Sequence, residues 1–301
     1  MPQLGLGLQS DKPLEEYAAI GRRAEAAGFD VLSVYQDMFF PPSLGPLLAI
    51  ASATERVVLG PAALNPFTLH PAEIAGQAAQ LDRASAGRSY LGLVRGAWLD
   101  QLGLDVVRPV AAMREAVEVV RRLLRNDRSG FQGSLFSLAP GAGLRVEPPA
   151  REIPLMLGTW KPRLAALAGE VAQEVKIGGS ANPDMVGLMR EWIGNDDVGV
   201  VVGAVTVVDE DGDTARARAR VEVELYLPVV GELDPTLELE PGQEPPLDRF
   251  VFAGTPDEVA AHARRVLDAG AKRVEFGTPQ GLTGERGVAL LCDRVLPLLR
   301  A

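Results

Sequence analysis

The 301-residue chain carries 40 acidic against 30 basic side chains, a formal net charge of −10, which argues against a general nucleic-acid binder, since that task needs basic surface. One cysteine and two histidines are too few for a disulfide framework, a multi-cysteine metal site or a three-histidine centre, and with 47 % hydrophobic residues the chain can bury a large core without such staples. No stretch reaches the roughly 18 uninterrupted apolar residues of a membrane span, and Met1-Pro2-Gln3-Leu4-Gly5 lacks the basic start and apolar run of a signal peptide, so the expectation is a cytoplasmic protein without a membrane partner.

In chain order one unit repeats: a short apolar run, a turn, then an amphipathic helix. Gln3–Leu8 reads as the first strand, followed by a helix from Pro13 to Ala27 that Gly28 stops as a C′ glycine. Next come strand Val31–Tyr35, a helix over Pro46–Ala53, strand Val57–Gly60, a helix over Pro71–Ala84 and strand Tyr90–Leu93. The helix over Pro109–Arg125 opens on proline, whose missing N–H costs little there. Phe131–Leu138 reads as a small hairpin or insertion outside the rhythm. The second half gives strands at Pro154–Leu157, Glu174–Ile177, Val198–Val208 and Arg273–Phe276. Its helices cover Arg163–Val171, Pro183–Ile193, Asp213–Tyr226 and Pro256–Ala269, with a last one ending near Leu299.

Strands separated by helices imply parallel pairing with right-handed crossovers. Eight such units in a chain of about 250 to 300 residues favour a closed (β/α)8 TIM barrel over an open doubly wound sheet, with residues 1–301 as one domain. Pro228–Arg249 breaks the rhythm: with five prolines and six acidic residues it is expected to form no core. It reads either as a lid over the barrel mouth or as a mobile surface excursion.

In such a barrel the chemistry sits at the C-terminal strand ends, so the residues just after each apolar run are the candidates. Asp37 ends the second strand, where a carboxylate accepts a hydrogen bond from a ring N–H, acts as a base, or merely caps a turn. Asn65, Thr68 and His70 follow the third strand, and His70, before Pro71 at a helix start, reads as a cap. Arg95 and Gly96 follow the fourth, where the guanidinium suits a carbonyl or an anion, or a structural ion pair. Gly158-Thr159-Trp160-Lys161 and Gly178-Gly179-Ser180-Ala181-Asn182 follow the next two. Two adjacent glycines let backbone amides approach an anion at a helix start, although the same pair also serves a tight turn. Mid-helix His262 reads as a packing or surface residue.

Other chemistries lack their parts. There is no G-x-G-x-x-G after a strand and no G-x-x-x-x-G-K-[ST], which leaves a dinucleotide fold and a P-loop unsupported. Gly178 to Asn182 begins like a nucleophile elbow and ends in Asn, with only His262 downstream to serve it.

Several loops then fall into one pattern: Arg56-Val57-Val58-Leu59-Gly60 leading to Asn65-Pro66 and His70-Pro71, then Leu81-Asp82, Ser85-Ala86-Gly87-Arg88, Leu91-Gly92 and Arg95-Gly96. The order continues through Ile153-Pro154, Gly158, Ala168-Gly169-Glu170, Gly254-Thr255-Pro256 and Phe276 to Gly281. In these residues the chain resembles the bacterial luciferase-like superfamily of flavin- and F420-dependent oxidoreductases. Within it the chain is most similar to the branch of methylenetetrahydromethanopterin reductase, which uses the deazaflavin coenzyme F420. The resemblance implies a (β/α)8 barrel with insertions and a hydride-transferring oxidoreductase acting on a small organic substrate. Coenzyme F420 would lie across the mouth, with an FMN-dependent monooxygenase acting with O2 as the alternative. It further implies a non-prolyl cis peptide at about Ala62-Ala63 against the ring, Asp37 facing the ring, and Asn65 after the bulge. Arg95 and Gly96 would line the cofactor, and Asp37, Asn65 and Arg95 would be the catalytic set. Gly158, Thr159, Gly178, Gly179 and Ser180 would hold the tail and its phosphate, with Lys161 and Lys176 as nearby cations. Pairing as a homodimer is a further expectation of the resemblance. One departure stands out: the second-strand loop reads Tyr35-Gln36-Asp37-Met38, without the histidine that several deazaflavin dehydrogenases place beside the acid, so sugar-phosphate oxidation through that histidine is not expected.

Overall fold

The computed structural model describes residues 2–240 and 243–301. Its barrel is built from β1 (Gln3–Leu8), β2 (Val31–Val34), β3 (Val58–Pro61), β4 (Leu91–Val94), β5 (Leu155–Gly158), β6 (Glu174–Gly178), β7 (Gly199–Val208) and β8 (Arg273–Gly281). Every neighbouring pair is parallel, in the order β3-β2-β1-β8-β7-β6-β5-β4. The bridges Leu59 to Ser89 and Leu64 to Leu93 join β3 to β4 and nearly close the ring. The expected (β/α)8 barrel is therefore what the sequence forms. Parallel strands need a crossover for each pairing, and the alternating helices supply it.

Those helices include α1 (Leu14–Ala27), α2 (Leu44–Ala53), α3 (Pro71–Ala84), α4 (Pro109–Leu124), α5 (Pro162–Val171), α6 (Asp184–Ile193) and α7 (Gly212–Val223). Their ends follow local chemistry. Gly28 ends α1 at φ 100°, a left-handed conformation open to glycine at no steric cost. The α3 start is capped by His70, whose Nδ1 accepts from Ala72 N at 3.1 Å. Leu, Ile and Val from the outer strand faces and the inner helix faces form one continuous core, including Leu6, Leu32, Leu59, Val175, Val202 and Phe276.

The expected hairpin forms at Phe131–Gln132 and Ser137–Leu138. Three expectations need correction. The segment Pro228–Arg249, of which Pro241 and Gly242 lie outside the described residues, does contribute to a core. Its start folds as α8 (Leu227–Leu233), which buries Leu227 and Val230 against Val207, Phe250 and Val251. Immediately after it, Val251–Gly254 forms a strand that pairs with Val205–Val208 of β7, past Gly203, where the pairing of β6 with β7 ends. Finally, β8 runs on past Phe276 to Gly281 across an irregularity between Gly277 and Gln280. The helix α9 (Pro256–Asp268) then opens on a capping box, Thr255 with Glu258.

Candidate active site

The C-terminal strand ends gather the expected residues on two sides of one mouth. On the β2–β4 side, Ala62 N donates to Val34 O, and Tyr35 N donates to Leu8 O, each at 2.9 Å. These bonds lock the first three strand ends together. The peptide between Ala62 and Ala63 is cis. Asp37 is exposed, and its Oδ2 accepts from Gln9 Nε2 at 2.7 Å. Gln9 is itself anchored, because its backbone N–H donates to Thr278 Oγ1 at 2.9 Å.

Asn65 is buried, and its Oδ1 accepts from Phe67 N at 2.8 Å. Its Nδ2 packs on Gly96, where a Cβ would overlap it, and Gly96 sits at φ 83°. Glycine is thus required there for space and for conformation. Among the described residues Asn65 Nδ2 has no hydrogen-bond acceptor and Arg95, exposed, has no carboxylate partner. Both are donors left open at the mouth.

On the β5–β6 side, Thr159 N donates to Lys176 O at 3.0 Å. Its hydroxyl accepts from Lys161 N at 2.9 Å and so shapes the start of α5. Lys161 is exposed and, among the described residues, without an ionic partner. Gly158 faces Val94, while a Cβ on Gly178 would meet nothing within 4 Å, so Gly178 lines open space. Trp160 covers the adjacent edge, its Nε1 donating to Gly178 O at 2.8 Å.

Two phosphate contacts drawn from the sequence do not survive this geometry. Gly179 N and Ser180 N both donate to Gly203 O, and Ala181 N donates to Arg249 O. The glycine pair therefore makes a strand-to-helix turn whose amides are already taken. Lys176 points into the barrel instead of toward the loop, because the pleat sends residues 174 and 176 to the same inner face. Its ammonium pairs with Glu275 of β8. Of the two expected cations, Lys161 is the one that remains available to an anion.

Beneath the mouth lies a polar layer that the sequence reading missed. Glu275 is fully buried; its Oε2 accepts from Ser33 Oγ at 2.6 Å, and Ser33 Oγ bonds Tyr90 Oη at 2.7 Å. Gly5 and Gly203 make room for it, since a Cβ on either would press on the Glu275, Arg273 or Lys176 side chain. Burial pushes the Glu275 carboxyl up, but Lys176, Arg273 and the hydrogen bonds together hold it below its ordinary value. Tyr35 roofs this layer. Its hydroxyl reaches over Gly7 and Gly277, and its ring lies 5.1 Å from Lys176 Nζ. Burial, then the negative charges of Glu275 and Asp37, raise its phenol well above the usual range, so it stays a neutral donor. Tyr226, just before α8, closes the other side against Gly179, and burial, Glu222 and Asp37 raise its phenol as well. The alternating charges of Glu174-Val175-Lys176-Ile177 and Arg273-Val274-Glu275-Phe276 were the available signal: charge at period 2, opposite in sign on two strands.

Among the described residues no group of three metal-ligating side chains occurs, and no helix is long and apolar enough to cross a membrane. A nearly closed parallel barrel with its open donors at the C-terminal mouth defines a (β/α)8 barrel built to bind a small molecule at that mouth. The chain belongs to the luciferase-like monooxygenase family, whose model matches residues 1–273. It is 26 % identical over 336 residues to the 5,10-methylenetetrahydromethanopterin reductase of Archaeoglobus fulgidus, covering 99 % of this chain and 100 % of the relative. It is likewise 26 % identical over 316 residues to the F420-dependent glucose-6-phosphate dehydrogenase of Microbacterium testaceum, covering 95 % and 93 %. The solved structure of the coenzyme F420-dependent tetrahydromethanopterin reductase of Methanopyrus kandleri superposes with a TM-score of 0.82 at 24 % identity, covering 98 % of this chain and 99 % of that one.

Proposed function

We propose that this chain is an oxidoreductase that transfers a hydride between coenzyme F420 and a small organic substrate at the barrel mouth. The observation that carries the reading is similarity along nearly the whole chain to two enzymes named for F420-linked or tetrahydromethanopterin chemistry. The mouth fits a flat ring bearing carbonyl groups: Arg95 and Asn65 Nδ2 are open donors on one side, and Gly178 leaves space on the other. When bound, the deazaflavin would supply or accept the hydride.

The protein's part is to hold and orient. The paired strand ends from Leu8 to Ala62 provide a rigid edge, and Asp37, steadied by Gln9, accepts a hydrogen bond or a proton beside the ring. Arg95 and Asn65 polarise carbonyl oxygens. Lys161 is placed to meet the cofactor's phosphate, assisted by side chains rather than by the amides of Gly179 and Ser180. Phe39, Phe40 and Trp98, all exposed on the second and fourth loops, offer the apolar surface an organic substrate needs. A cytoplasmic location and pairing as a homodimer belong to the same reading.

An FMN-dependent monooxygenase acting with O2 is the second reading, favoured by the family's own description. Paired equilibrium titrations with F420 and FMN decide between them. Tight F420 binding with weak FMN binding supports hydride transfer; the reverse preference overturns it.

A further inference from the structure

The segment Pro228–Arg249, expected to be either a lid or a mobile surface excursion, grips the loop after β6 at several separate points. Asn182 in that loop is fully buried. Its Nδ2 donates to Asp234 Oδ2 and Thr236 Oγ1, each at 2.8 Å. Its Oδ1 accepts from Asp184 N at 3.0 Å and from Arg249 Nη1 at 2.5 Å. An asparagine amide offers two donor protons and two acceptor lone pairs, so every one of them is used. Only one orientation of the amide satisfies this set, because the partners of Oδ1 are all donors.

The grip extends on both sides. Asp234 is buried, and its Oδ1 accepts from Thr236 N and Thr236 Oγ1 at 2.9 and 2.7 Å. Arg249 also pairs with Asp184, and its carbonyl accepts from Ala181 N at 2.9 Å. Val230 of the same segment lies against Gly179, as does Tyr226 just ahead of it. From behind, His262 Nε2 donates to Ala181 O at 2.9 Å. A lid that opened would expose a buried carboxylate and a buried amide while breaking the bonds of Asn182 to Asp234, Thr236 and Arg249, the Arg249–Asp184 pair and the Ala181 N to Arg249 O bond.

We propose that the described residues of this segment, 228–240 and 243–249, are a fixed strut, neither a lid nor a mobile excursion, and that Asn182, Asp234 and Arg249 are positioning residues that hold the Gly178–Asn182 loop at the mouth. The strut has its own consequence for backbone protection; its consequence for cofactor binding rests on the deazaflavin reading.

The test compares the full-length wild type with Asp234→Ala, Asp234→Asn and the exchanged pair Asn182→Asp with Asp234→Asn. Two quantities are read: hydrogen exchange of the peptide covering residues 178–184, with α1 as internal reference, and F420 binding by fluorescence titration. Asp234→Asn keeps the shape but turns one acceptor into a donor, so it faces donor against donor. Both single variants are expected to speed exchange of 178–184 by roughly tenfold or more, without change in α1, and to weaken F420 binding by about tenfold. The exchanged pair restores complementarity, since the amide at 234 now donates to the carboxylate at 182, and both quantities return toward wild type. Unchanged exchange in both single variants overturns the strut. Faster exchange with unaltered F420 affinity overturns the positioning role. If wild type does not bind F420, the deazaflavin reading fails while the exchange arm still decides the strut.

Discussion

Lys176 and Glu275 meet inside the barrel as an ion pair almost wholly removed from water, one from β6 and one from β8. Taking two charges out of water costs several kcal/mol per ion, so such a pair persists only when hydrogen bonds complete it. Ser33 Oγ donates to Glu275 here, and the Tyr35 ring adds a cation–π contact to Lys176. Removing one partner leaves the other buried and unpaired. Glu275→Gln is therefore expected to destabilise the fold by about 3–5 kcal/mol, and Lys176→Met with Glu275→Gln to cost less than Glu275→Gln alone. Urea unfolding of the three proteins checks the ordering.

The same carboxyl sets a pH dependence. Its folded value lies below the ordinary 4.5, so the unfolded chain binds its proton first as the solution is acidified. The contribution is present above pH 4.5 and is lost as pH falls through the folded value. Glu275→Gln should flatten the acid limb of the stability profile, measured by urea midpoints across that range.

Gly7 and Tyr35 are coupled by space. A Cβ at position 7 would fall inside the Tyr35 hydroxyl and ring, and barrel interiors tolerate such overlap poorly. Gly7→Ala should cost roughly 1–3 kcal/mol, and Tyr35→Leu should relieve part of that loss. A double-mutant cycle in urea would falsify the contact if the two effects simply added.

Much of the barrel was legible because strand-turn-helix repetition is a local pattern that the hydrophobic effect enforces everywhere. The mouth was legible for a related reason: Asp37, Asn65, Arg95 and Lys161 each follow an apolar run, and strand ends fix where such residues emerge. Lys176 was misplaced because nearness in sequence to Gly178 hid the pleat, which turns residue 176 inward and residue 275 to meet it. The strut was missed because its helix is short and its buried groups are polar. Asn182 and Asp234 lie 52 residues apart, and a polar core of that kind has no hydrophobic period to betray it.

Arg95 separates binding from stability. It is exposed and, among the described residues, pairs with no carboxylate. Its loss should leave the unfolding midpoint within about 0.5 kcal/mol of wild type. If it meets a carbonyl of the bound ring, Arg95→Ala weakens F420 binding by roughly tenfold, the scale of one charge-assisted hydrogen bond. Equal affinity in the two proteins would remove Arg95 from the cofactor contacts.

His262 gives the last test, at milder pH. Its Nε2 donates to Ala181 O, which fixes the neutral tautomer with the proton on Nε2, and its ring packs edge-on against Phe252 at 4.9 Å. Burial pulls its value below the ordinary 6.5, so between those two values the unfolded state holds more protons than the folded one. Stability therefore rises with pH through that window, by at most about 1.4 kcal/mol per pH unit. It is complete above pH 6.5 and declines as pH falls. His262→Gln keeps a donor for Ala181 but cannot take up the proton, so its stability should be flat where wild type slopes. His70, exposed at the α3 cap, is the chain's other histidine and is unchanged in both proteins. Identical slopes in the two would assign the pH dependence to groups other than His262.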